Sequence, residues 1–166
     1  MTAPRPAPAP AHTPTPATVA TPAPAAAPPP APNVATATVL DASARAALPF
    51  TVDLPRGFQI ETGRPGPTFR VYTIRRGERS FAMVYVGSGA RFPIYSGETI
   101  EAAGRLSLVS TEDGERHAKE HLFRRDGSPD VHVWTMTLDG EDRVIAERIA
   151  QSVDVRPATP AAPARP

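Results

Sequence analysis

Cysteine is absent from the 166-residue chain, so there is no disulfide framework, thiolate zinc site, nucleophilic thiol or lipid-attachment cysteine. The redox compartment stays open. Lysine is nearly missing too: Lys119 stands alone among 18 basic residues. No apolar run approaches the roughly 18 to 20 residues that span a bilayer, and the opening MTAPRPAPAP has neither a basic n-region nor an apolar h-region. As it stands the chain reads as soluble and cytoplasmic, or as an envelope protein if a signal or anchor precedes Met1. An excess of one charge is also lacking. Between residues 47 and 156 there are 15 Lys and Arg against 16 Asp and Glu, a formal −1, and nothing steers that stretch toward nucleic acid or an anionic membrane.

What the chain has in excess is proline, with 22 residues unevenly placed. Twelve precede residue 38 and four fall in the last ten residues. Residues 1–37 alternate Ala, Pro and Thr, as in Pro28-Pro29-Pro30, with almost nothing apolar to bury, so they cannot repay the entropy of ordering. Proline fixes φ and removes a donor, which predicts a disordered spacer of polyproline character at about 3 Å per residue. Residues 157–166 read as a shorter disordered tail of the same kind. The folded part is then a single domain over 38–156.

Within it, Asp41 caps a short helix that Pro49 stops. The period then switches to two: Phe50, Val52 and Leu54 share one strand face. Arg64-Pro65-Gly66-Pro67 is turn chemistry. Phe69 to Arg75 and Ser80 to Val86 form a hairpin. In its second arm Phe81, Met83 and Tyr85 face one way and Ala82, Val84 and Val86 the other, so both faces are apolar and something must cover each. Leu106 to Val109, His117 to Arg125 and Val131 to Leu138 read as further strands, with a tight turn at Asp113-Gly114. A helix follows from Asp139 or Gly140, with Val144, Ile145, Ile149 and Val153 inward and Arg143 and Glu147 on its wet side. The expected fold is α+β: an antiparallel sheet of five or six strands with the C-terminal helix on one face, and a short N-terminal helix or curled edge on the other. Phe69, Phe81, Met83, Trp134 and Ile149 are its expected core.

The opening Phe50-Thr51-Val52-Asp53-Leu54-Pro55-Arg56-Gly57-Phe58 and the closing helix over Ala146 to Val153, ending in Gln151-Ser152-Val153, resemble the PsbP-like family of small antiparallel-sheet domains. The resemblance implies an assembly factor, envelope protein or binding module without catalysis. It transfers no functional residue.

His117-Ala118-Lys119-Glu120-His121 fits the H-x-x-E-H pattern of inverted zinc peptidases, which requires a helix to bring two imidazoles to one ion. On a strand the two histidines stand about 13 Å apart. Gly87-Ser88-Gly89 lacks the rest of any phosphate-binding fingerprint and reads as a bulge or strand exit. Ser88 or Ser96 meeting His132 and an Asp is the remaining triad arrangement. The His132 and Trp134 face reads as core. A binding surface fits better, built from Arg91, Phe92 and Tyr95 in an aromatic loop and from Arg124 and Arg125 at a strand end, because arginine with aromatics is the composition of interface centres. The sequence therefore points to a non-enzymatic binding or assembly module, displayed on a spacer and associated with a bacterial envelope. It has no catalytic residue, metal or cofactor, and its partner is a protein or small ligand. The competing reading is a metal-dependent hydrolase using His117, Glu120 and His121.

Overall fold

The computed structural model describes residues 37–63 and 66–157. The expected spacer and tail lie outside them except for Ala37 and Pro157, as do Arg64 and Pro65 of the expected turn. The elements run β1 (Thr38–Val39), α1 (Ala42–Ala46), β2 (Phe50–Thr51), β3 (Gln59–Thr62), β4 (Phe69–Arg76), β5 (Arg79–Gly87), β6 (Glu98–Ala102), β7 (Arg105–Glu112), β8 (Glu115–Phe123), β9 (Asp130–Thr135), α2 (Gly140–Ser152) and β10 (Asp154–Val155). Eight strands form one antiparallel sheet in the order β1-β3-β4-β5-β9-β8-β7-β6, and β10 pairs with β2 separately. The class is α+β as expected, with more strands than five or six. Among the described residues no helix is long and apolar enough to cross a membrane.

The strand that the sequence conceals best is β6, and its hairpin explains why. The β7–β8 turn announces itself through Asp113 and Gly114, both at positive φ (53° and 82°). The β6–β7 turn has the same backbone at Ala103 (φ 52°) and Gly104 (φ 75°), but alanine sends no turn signal and pays a steric cost in the left-handed region. Ala103→Gly is expected to stabilise the fold by about 1 kcal/mol, a rise of roughly 4 °C in thermal unfolding. An unchanged Tm would show that Ala103 is not strained.

The core lies between the sheet and α2, where Phe50, Ile60, Ile74, Phe81, Val133 and Ile149 belong to one buried cluster. Ala146 and Ala150 are small enough to let the helix sit close to the strands. Phe81 reaches this side because of a bulge: Ile74 pairs with Ala82 and Arg75 with Ser80, leaving Phe81 without an opposite number. It therefore joins Ala82 instead of Met83 and Tyr85. Three other expectations fail. Phe69, Met83 and Trp134 are half-buried and outside this core. Val144 is 50% exposed. Arg143 and Glu147 face the sheet instead of water, bonding Glu112 and His117. The helix ends on Arg105, which donates to the carbonyls of Gln151 and Val153 at 3.0 and 2.9 Å and lies over the Phe123 ring. At its other end Asp142 accepts from both Arg76 and Arg79. An acid in the first turn also suits the helix dipole.

α1 does not cover the opposite face of the sheet. Asp41 caps it by accepting from the Ala44 amide, and the chain after it puts Leu48 and Phe50 into the same cluster as Ile149. The other cover comes from connectivity. β5 is fourth in the sheet and β6 is eighth, so residues 88–97 must pass β9, β8 and β7 to reach the edge. That is about 19 Å of ladder spacings, within the reach of ten extended residues at roughly 3.3 Å each.

Candidate binding site

The crossover leaves the sheet at Gly87. A β-carbon there would fall 2.5 Å from the Phe69 Cβ and 2.7 Å from the Thr68 carbonyl oxygen, so only glycine permits this approach of β4 and β5. The expected strand exit is therefore correct.

Cross-strand partners share a face. Glu120 opposes Trp134, Leu122 opposes His132, Tyr85 opposes His132 and Met83 opposes Trp134. These residues form the side away from α2, and the crossover lies on it. Glu120 is fully buried. Its Oε1 accepts from the amides of Ile94 and Tyr95 at 2.7 and 2.8 Å, and its Oε2 accepts from His132 Nε2 at 2.7 Å. A buried carboxylate is tolerated only with such partners, and charge-assisted bonds of this length are strong. The crossover is held further by the Tyr95 hydroxyl donating to the Thr135 carbonyl and by Lys119 over the Tyr95 ring. The Phe92 ring meets His132 edge-on at 5.6 Å. Leu108, Leu122 and Ala90 are buried outside the helix-side core.

Between the crossover and β4, β5 and β9 a cavity of about 420 Å³ remains, lined by Phe69, Tyr85, Gly89, Arg91, Ile94, His132 and Trp134. Phe69 and Tyr85 stack with ring planes 18° apart and centroids 5.4 Å apart, and His132 and Trp134 lie 5.1 Å apart. The Tyr85 hydroxyl donates to the Ser88 carbonyl at 2.7 Å, tying the ring to the crossover's first turn.

The residues expected to form a binding surface are divided. Arg91 lines this cavity and is exposed, while Phe92 and Tyr95 are half-buried supports of its wall. Arg124 and Arg125 are exposed after β8, and Arg125 lines a different cavity of about 440 Å³ with Leu48, Pro49 and Arg156. Phe69, Tyr85, Ile94, His132 and Trp134 were not anticipated as one site. The apolar character of both faces of β5 was the available signal.

The peptidase-like motif lies on β8, a strand as expected, which sends its residues to both sides. His121 opposes Val133 in the helix-side core, whereas Glu120 faces away. His117 Nδ1 bonds Glu147 of α2 at 3.0 Å and His121 Nδ1 bonds the Ser107 hydroxyl at 2.8 Å. Burial, and next the Arg105 guanidinium, pull His121 down to about 4 from its usual 6.5. Among the described residues no group of three or more His, Asp or Glu could hold a metal ion. Among the described residues the serine bonded to a histidine is Ser107, half-buried on β7, and His132 gives its Nε2 to Glu120 instead of to Ser88 or Ser96.

The fold and cavity define a sheet-and-helix domain with an aromatic pocket on its second face. No family model matches the chain, and neither a curated protein nor a solved structure matches it.

Proposed function

We propose that this chain is a non-enzymatic binding or assembly module, as the PsbP-like resemblance implies, displayed on a Pro/Ala-rich spacer and associated with a bacterial envelope. Its recognition site is the cavity at Phe69, Tyr85, Ile94, His132 and Trp134. The observation that carries this reading is the expense of keeping the cavity's wall in place: a carboxylate is buried solely to hold the crossover and one histidine. A volume of about 420 Å³ suits a small ligand or a side chain of a partner.

Trp134 is the chain's one tryptophan, so its indole N–H gives a single resonance inside the proposed site. Titrating the full chain with uncharged 2-naphthamide is expected to shift that resonance and the amides of residues 85–95, with α2 unmoved. Ile94→Gln changes an exposed wall residue and is expected to weaken binding about fivefold through lost apolar contact. An indole resonance that stays put at millimolar ligand would remove the proposal's basis.

A further inference from the structure

The charge around the cavity is one-sided, and on that basis, granting that it is a binding site, we infer that its ligand class is the planar aromatic carboxylate. Arg91 is its one permanently charged lining residue, and no carboxylate lines it. Four other arginines of the sheet are engaged, Arg75 with Glu61, Arg76 and Arg79 with Asp142, and Arg116 with Glu98, while Arg70 of β4 lies outside the cavity lining. Arg91 has no acidic partner among the described residues. Of the acids on this face, Asp130 opposite Gly87 does not line the cavity, and Glu120 is out of reach of a ligand, because it is fully buried and both its oxygens are occupied by Ile94, Tyr95 and His132.

The walls select shape as the guanidinium selects charge. Phe69 and Tyr85 stack on each other with ring planes 18° apart, and with Trp134 and His132 they line the cavity with aromatic edge and face. A guanidinium fork grips a carboxylate through two parallel bonds. His132 has its Nε2 committed to Glu120 and can offer only Nδ1 to a ligand. Arg91 itself is three residues from the Ile94 amide that Glu120 fixes, so the fork is carried on an anchored segment. The backbone share of the ordering cost of binding is thereby met before the ligand arrives.

The test compares 2-naphthoate with its neutral isostere 2-naphthamide on the full chain, followed at the Trp134 indole resonance. Naphthoate is expected to bind about tenfold more tightly. Arg91→Gln should bring the two within twofold by weakening naphthoate alone, and Arg91→Lys should leave an intermediate preference. Arg91 is exposed and unpaired, so both variants should fold as the parent does. Equal binding of the two compounds to the parent, or a preference that survives Arg91→Gln, overturns the inference while leaving the cavity as a binding site. Failure of both compounds to move the indole resonance overturns the binding site as well.

Discussion

Glu120→Ala is expected to lower the folding free energy by about 3 to 5 kcal/mol and to release residues 88–97 to proteases. The substitution leaves the amides of Ile94 and Tyr95 and the Nε2 of His132 facing an empty space where a carboxylate stood. Each is a desolvated donor without an acceptor, and a domain of this size has only about 5 to 15 kcal/mol to lose. Glu120→Gln separates charge from shape. Its amide oxygen can still accept from the two backbone groups, but its NH₂ then faces His132, which must switch tautomer to receive it. That variant should lose only about 1 to 2 kcal/mol. Urea unfolding gives the stabilities, and mass spectrometry after brief proteolysis locates the first cuts. A Glu120→Ala loss below about 1 kcal/mol, with no new cut between 88 and 97, would show that the crossover is held by something else.

Stability should fall on acidification from pH 6.5 to about 4, and His121 should account for a large part of that fall. The unfolded chain protonates this imidazole near 6.5, while in the folded state burial and the Arg105 guanidinium hold it at about 4, with His132 adding to the effect and Glu120 opposing it. Between those values the unfolded state binds more protons, so stability rises with pH across the window and is fully present above 6.5. A separation of this size corresponds to about 3 kcal/mol by pH 4. His121→Gln keeps an acceptor for the Ser107 hydroxyl and has nothing to titrate. Unfolding midpoints at pH 7, 5.5 and 4 should therefore decline less steeply in the variant. Parallel slopes for the two proteins would show that other groups carry the acid sensitivity.

The hairpin of β4 and β5, the β7–β8 turn and the C-terminal helix were legible because their signals are local: period-two patterns, Asp113-Gly114 and helical spacing after Asp139. β6 was hidden by Ala103, a residue that its turn tolerates without advertising. The bulge at Phe81 was hidden because alternation in the sequence assumes an unbroken ladder. For the site, the sequence brought Arg91, Phe92 and Tyr95 to attention by composition, yet read His132 and Trp134 as core and set Glu120 in a zinc motif. Their meeting depends on β9 inserting between β5 and β8, a strand order that no neighbouring residues encode. What could be deduced was the demand: a strand apolar on both sides needs two covers, and the second proved to be a crossing segment instead of a helix.

That crossing also sets an order of events during synthesis. Residues 88–97 leave the ribosome before Glu120 and His132, so 25 to 26 residues of translation separate the amides of Tyr95 and Ile94 from the carboxylate that holds them. Contacts of long sequence separation form late and slowly. The pocket therefore cannot close before β9 is made, and a chain stalled before His132 would display β4 and β5 with both apolar faces uncovered, because α2 follows β9 in the chain.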